Sequence, residues 1–524
     1  MDCMGRILVK SLWIGIGLLC LSGLSRSATD YEASAEADFY VRGAERDDRL
    51  GQRVAVGDIN GDGLEDLILC TRFFDPPGRP RAGAVYVVFG REDFGAVGSL
   101  WLKEATADVT LLGATSEDRL GMSHVAPVAP VAVGDVNADG IGDLAVGAPH
   151  ASPSGRGEAG AVYLFFGRTA FPEQLDLAVT EADLTIIGAT PGAQSGAALT
   201  AGDLDGDGVA DLVIGTPRFI REGRYPHGRI DVLQGGEYLD GISQWDLSMQ
   251  PADWVLLGAS EQDQLGDSLA VGDANGDGFG DLFIGASGAS VEAYDNRGKA
   301  YLFFGGPARL GGDTSDLAVS AADCTLWGQD RGDRFGHSVA LLQLFTNQQD
   351  DLVVGAPGAV FETGDAEIDQ ERFEWGAVYV LRGRSDFPEK IDLSFQSTDA
   401  TIYGATDGDR FGYQVSGGYL SSREVEDLAA GTFRAERSLS FRSEGLVAVF
   451  PTAAMDYVAA STIFLATPGP EVRIWGGRTG ERLCTSLVAG DVDGDGLDDW
   501  VIGAPGSVDR EGRSYLILSG SLDF

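Results

Sequence analysis

The chain has 524 residues, with 80 Asp and Glu against 38 Lys and Arg and a formal charge of −42. Such a surface repels nucleic-acid phosphates and anionic lipid heads, so neither is expected as a partner. Hydrophobic content of 44% excludes a disordered acidic tail, and 75 glycines point to one large repetitive domain rather than several ordinary ones.

In chain order, Arg6 and Lys10 come first, followed by the apolar run Leu12–Leu24 and the small-residue zone Ser25-Arg26-Ser27. Together they predict an export signal over residues 1–27, hence a secreted, cell-surface or periplasmic protein. The run is too short to span a bilayer, and no later stretch reads as membrane-spanning. Cys70, Cys324 and Cys484 remain after cleavage, allow at most one internal disulfide, and read as packed thiols.

From residue 37 onward the chain repeats. A strand-like run, ADFYVRG (37–43), precedes DINGDGLEDLIL from Asp58, and the same loop returns at Asp135, Asp203, Asp273 and Asp491. Two degenerate copies lie between, reaching DLVVGAP at Asp351 and DLAAGT at Asp427, with Gln343, Phe345 and Asn347, then Tyr419, Ser421 and Arg423, where loop aspartates would stand. Each period holds four runs rich in Val, Ile, Leu, Phe and Tyr and bounded by Gly, Pro and Asp: in the fourth, SLAVGD, DLFIGAS, GKAYLFFG and ADCTLWG. These read as short antiparallel strands, with a turn of helix expected in the linkers 169–182 and 313–322. Four strands per unit of about 70 residues, seven times over, predict an all-β, seven-bladed β-propeller across residues 28–524. The chain starts on a fourth-type strand and stops after a third-type one, SYLILSG (514–520). The N-terminal strand is therefore expected to close the last blade.

Five loops carry Asp or Asn at positions 1, 3, 5 and 9, Gly at 6 and an apolar residue at 7. The predicted metal sets are Asp58, Asn60, Asp62, Leu64 and Asp66; Asp135, Asn137, Asp139, Ile141 and Asp143; Asp203, Asp205, Asp207, Val209 and Asp211; Asp273, Asn275, Asp277, Phe279 and Asp281; and Asp491, Asp493, Asp495, Leu497 and Asp499. The position-7 residue offers its backbone carbonyl. All ligands are hard oxygens, which suits Ca²⁺; zinc would want His or Cys, which the loops lack. A plain turn needs one or two such residues, not four in five copies, so about five calcium ions are expected. No glutamate stands at position 12, so these are not EF-hands.

Phe-Gly, then the loop, then Gly-Ala-Pro resembles the FG-GAP repeat of the integrin alpha-subunit propeller over nearly all of the predicted mature chain. Leu-Gly stands for Phe-Gly at 50, 120 and 265, Leu483-Cys484 in the last repeat, and Cys70-Thr71-Arg72 for Gly-Ala-Pro in the first. The resemblance implies the propeller fold and calcium. It also suggests an extracellular binding or cell-adhesion module with a protein or glycan ligand on its loop rim. The chain is expected to be monomeric and not an enzyme, with no catalytic residue assigned: His124, His150, His227 and His337 are scattered and form no recurrent motif. The alternatives are a hydrolase or lyase working at the central mouth, or an architectural surface component. On the rim, Phe361, Phe373 and Trp375 are candidate anchors, with Trp375 equally able to pack beneath its own loop.

Overall fold

The computed structural model describes residues 29–524 except 72, 124–128, 222, 224, 291–294, 346–347, 361–373, 407, 437–442, 452–460, 467–470, 508–509 and 522–524. The expected export signal, His124, Asn347, Phe361 and Phe373 lie outside the described residues.

Each blade is built as its sequence dictates. In the fourth, Ser268–Gly272 pairs antiparallel with Asp281–Ala286, then Lys299–Phe303, then Cys324–Trp327. Asp281–Ala286 is buried at all six positions, because each face of this strand meets a neighbouring blade. An unbroken apolar run is what such a strand requires. Seven sheets of this kind form the propeller, and their inner strands touch in a complete ring, with Arg53–Gly57 flanked by Val131–Gly134 and Ser486–Gly490.

Every sheet has five strands rather than four. The fifth is short and parallel, and in six of the seven it comes from further along the chain: Gln174–Asp176 lies beside Val109–Leu112, and Lys390–Asp392 beside Cys324–Trp327. The linkers expected to hold a helical turn supply these strands, including Gln174–Asp176 and Asp313–Asp316, each followed by a single hydrogen-bonded turn such as Thr180 N to Asp176 O, 2.7 Å. A latch locks four of them. Arg79 grips Asp176 with both guanidinium nitrogens (2.5 and 2.7 Å), and Arg156–Asp246, Arg221–Asp316 and Arg297–Asp392 repeat the pair. In the last blade Trp101 takes the aspartate's place and donates its indole N–H to Gly43 O at 3.1 Å.

The Phe-Gly and Gly-Ala-Pro motifs have one physical cause. A Cβ on Gly285 would lie 2.0 Å from Gly336 O, and one on Gly355 would lie 2.1 Å from Gly412 O. The second-strand glycine of one blade thus touches the backbone of the Phe-Gly glycine of the next, an approach no side chain permits. Gly503 against Gly51 O, 2.0 Å, repeats this contact across the ring closure. The preceding residue (Leu50, Leu120, Leu265, Phe335, Phe411 or Leu483) is fully buried, so Leu and Phe exchange freely as fillers of one pocket.

The N-terminal strand Phe39–Arg42 pairs antiparallel with Arg513–Ile517 and closes the last blade, as expected. Thr29–Glu32 adds a parallel strand to the sixth. Deleting residues 28–43 removes both, uncovers two sheet edges and takes buried Phe39 and Val41 out of the core. A fall in melting temperature of more than ten degrees is expected in calorimetry, on the order of 2 kcal/mol or more for the two apolar side chains alone. An unchanged transition refutes the clasp.

Candidate metal loops

The loops lie at one end of the propeller, between first and second strands. In the fourth blade Asp273 folds the chain onto itself: its Oδ1 accepts from Gly276 N (2.7 Å) and Asp277 N (3.1 Å), its Oδ2 from Gly278 N (2.9 Å). Asn275 Oδ1 accepts from Asp277 N (2.8 Å), and Asp277 Oδ1 from Phe279 N (3.1 Å). The other four loops repeat the position-6 contact: Gly63 N to Asp58, Gly140 N to Asp135, Gly208 N to Asp203 and Gly496 N to Asp491, at 2.8–3.0 Å. Gly278 sits at φ 88° with open space where a Cβ would be, so backbone conformation rather than crowding selects glycine there.

In two of the five loops three carboxylates converge. Carboxylate oxygens of Asp203, Asp205 and Asp211 lie within 4.8 Å of one another, as do those of Asp491, Asp493 and Asp495. Burial, then the neighbouring loop carboxylates, raises Asp205 and Asp493 above the usual range. Clusters of hard oxygens that disfavour their own charge suit a divalent cation of the calcium type.

Position-7 side chains turn onto the neighbouring loop: Phe279 fills the space over Gly206, Ile141 that over Gly61, and Leu64 that over Gly494. Position 9, read as a ligand, is also a staple. Asp281 Oδ2 accepts from Ala274 N and Asn275 N (3.0 and 3.1 Å), and its Oδ1 from Gly305 N (2.9 Å) beyond the third strand. Asp66, Asp143, Asp211 and Asp499 do the same in the other intact blades. Asp351 and Asp427 keep amide contacts of this kind in the two degenerate blades. Burial pushes Asp281 and Asp351 up to about 7 and Asp499 up to about 8.

Position 8 also contributes. Asp350, Glu426 and Asp498 each accept the backbone N–H of position 1 in the preceding blade (Asp273, Gln343 and Tyr419) at 2.6–2.8 Å. The signal was visible as Asp or Glu at position 8 in blades one, five, six and seven against Gly or Ala elsewhere. In the degenerate loops arginine stands nearby: Arg382 lies 3.9 Å over Phe345, and Arg423 donates to Asp495 O in the seventh blade.

The remaining candidates are structural. Cys70, Cys324 and Cys484 are buried free thiols. His150 sits between Arg119 and Gln194, each at 3.3 Å. Trp375 is half-buried and edge-on to Phe464 at 6.4 Å, packed against the strand Ser461–Phe464. Among the described residues no helix is long and apolar enough to cross a membrane.

Seven blades with glycine-to-glycine contacts and acidic loops define an FG-GAP repeat β-propeller, and residues 50–88, 131–165, 195–233, 265–303 and 485–517 match the FG-GAP repeat family. The chain is an FG-GAP repeat protein resembling the integrin alpha-subunit propeller. It is 28% identical over 245 residues to human phosphatidylinositol-glycan-specific phospholipase D, covering 47% of this chain and 27% of that protein. The Dictyostelium discoideum phospholipase of the same name matches at 27% over 389 residues, 72% of this chain and 38% of that one. Drosophila melanogaster integrin alpha-PS2 matches at 32% over 182 residues, 34% and 12%. The chain thus spans well under half the length of these relatives. They overturn the expectation of a non-enzyme, since repeats of this kind stand in phospholipases D as well as in integrins.

Proposed function

We propose that this protein is an exported recognition module whose blades are held by about five structural calcium ions and whose ligand, protein or glycan, binds the rim opposite the metal loops. The converging loop carboxylates carry the calcium part. Geometry supports the rim: Gly57 faces Asp66 at the loop end, whereas Arg53 faces Cys70 at the other, where the variable connections between second and third strands emerge. The calcium end repeats from blade to blade, and the opposite end varies, as surfaces that recognise particular ligands do. The export signal over residues 1–27 and a monomeric state belong to the same proposal.

Replacing residues 358–376 by a short Gly-Ser connection is expected to abolish capture of an integrin-type protein ligand or an arrayed glycan while leaving the melting temperature within a few degrees. Capture undiminished by this change places recognition elsewhere. A second reading, participation in an enzymatic reaction, is favoured by the phospholipase D relatives and by the polar mouth of the channel, where Arg53, His337 and Tyr413 meet. Turnover of a phosphatidylinositol-glycan substrate by the purified chain, lost in His337→Ala, is the result that separates the two.

A further inference from the structure

At the end of the channel away from the metal loops, a chain of net charge −42 gathers arginines. The residue before each Phe-Gly dipeptide is Arg49, Arg119, Arg334, Arg410 or Arg482 in five repeats, and in all five it has φ between 55° and 60°. Glycine or asparagine would adopt that conformation at less cost. The backbone N–H is used in turn contacts, Arg49 to Arg510 O (3.1 Å) and Arg482 to Ser443 O (3.1 Å), so the side chain is what the position selects.

Four of these five, with two neighbours, converge on blades five, six, seven and one. Arg434 and Arg482 share the Phe433 ring, at 5.7 and 5.9 Å from its centre, and Arg49 lies 5.3 Å over Phe73. Phe433 meets Tyr413 edge-on at 4.7 Å, and Tyr413 meets His337 at 4.8 Å. Arg53, buried beneath, donates to Gln52 O at 2.8 Å and Thr485 O at 3.4 Å. Arg334, Arg434 and Arg482 are exposed. The arginines feel one another: Arg482 and Arg510 act on Arg49, and Arg410 and Arg482 on Arg434, adding to burial in lowering both. Burial, with Arg334, Arg53 and Arg410, holds His337 neutral, down to about 3.

Acids are present, and most are committed. Glu374 pairs with Arg410, and Asp47 lies 3.4 Å from Arg510 and 3.9 Å from Arg46. Asp48 and Asp409 are buried and accept backbone N–H groups from Glu45 and Thr406, and Glu481 takes the hydroxyls of Ser507 and Tyr515. Among the described residues Glu45, Asp75 and Glu436 also lie near, and Asp333 beside Arg334 is buried.

We propose that this arginine mouth, formed by Arg49, Arg53, Arg334, Arg410, Arg434 and Arg482, binds a compact saccharide carrying two or more sulfate or phosphate esters. Guanidinium forks match such oxyanions, and the aromatic rings beneath them hold the forks in place and offer a face to the sugar. Screening sets the size. At physiological ionic strength the field of the acidic body fades over about 8 Å, so a compact anion at the mouth senses the arginines. An extended polyanion would cross the acidic surface and be repelled. The proposal rests on the rim-recognition reading and gives it a ligand class.

The test is titration calorimetry on the full chain in calcium, with sucrose octasulfate, fructose 1,6-bisphosphate, unmodified sucrose and a doubly phosphorylated peptide. One site is expected for sucrose octasulfate, weakening with added salt, and none for sucrose; binding of the bisphosphate extends the site to phosphate esters, and its failure restricts the site to sulfate. Arg434→Gln with Arg482→Gln should weaken binding about tenfold or more without moving the melting temperature, and the Lys pair should restore part of it. Arg156→Gln, at the outer latch, should leave binding unchanged. No binding of either ester, indifference to the Gln pair, or preference for the peptide overturns the proposal. If an unsulfated ligand still binds the rim in the Gln pair, the recognition reading survives and only the anion site falls.

Discussion

Chelating calcium is expected to lower the melting temperature of the whole propeller, and restoring it should bring back about five ions by native mass spectrometry. The magnitude follows from linkage. Extracellular calcium modules bind at roughly 0.1 to 1 mM, and at the tighter end ~1 mM free ion stabilises by about 1.4 kcal/mol per site, on the order of 7 kcal/mol for five. That is comparable with the entire stability of a typical domain. Without the ion, the converging carboxylates of Asp203, Asp205 and Asp211, and of Asp491, Asp493 and Asp495, face one another across less than 4.8 Å. Asp493→Ala with Asp495→Ala should remove one ion. It should also cost more than one-fifth of the calcium effect, because Leu64 of the first loop packs over Gly494 of the seventh and the two sites share that contact. A melting curve indifferent to chelator, with no bound metal, would leave the loops as turns alone.

Much of this was written in the sequence because it depends on local spacing. Position 1 of each loop reaches amides three to five residues on, Gly61 N and Gly63 N to Asp58 for example, so the pattern of aspartates and glycines is legible without a partner strand. Closure was legible too, since the chain supplies a strand at one end that it lacks at the other. What escaped was made of contacts across repeats. The fifth strands are three or four residues long, and in six blades they pair with a strand 60 or so residues earlier, as Gln174 does with Thr110. The Arg79–Asp176 latch joins residues 97 apart, and nothing in either neighbourhood announces the other. Position 8 works between blades as well, Asp350 serving the amide of Asp273. Position 9 misled for another reason: a carboxylate that holds a cation and one that collects backbone amides are the same residue type at the same spacing. Only Asp351 and Asp427, retained where the rest of each loop has become Gln343, Phe345 and Asn347 or Tyr419, Ser421 and Arg423, hinted at a second duty.

That second duty predicts a large loss in a blade without a metal loop. Asp351 is fully buried, with Oδ2 accepting from Leu344 N at 3.1 Å and Oδ1 from Gly383 N at 2.9 Å. Alanine there removes the acceptor of Gly383 N, while Leu344 N keeps Leu342 O at 3.0 Å, for a loss of about 1–3 kcal/mol. The loss should be equal with and without calcium, because no intact loop depends on this residue. Asp281→Ala in the fourth blade breaks the same amide contacts, to Ala274 N and Gly305 N, but in an intact loop, so its cost should be larger in calcium than in chelator. The difference between these two variants measures what the ion adds to the staple. A pH series checks the assignment independently. Burial raises Asp351 from the ordinary carboxyl range to about 7, so the stability it contributes is complete at low pH and is lost as pH rises from about 4 through 7. Asp351→Asn keeps one acceptor oxygen and does not titrate, and should therefore flatten the decline between about pH 4 and 7 while costing less than alanine. Equal melting of Asp351→Ala and the parent chain in denaturant would show that the third-strand amide finds another acceptor and that this carboxylate holds nothing.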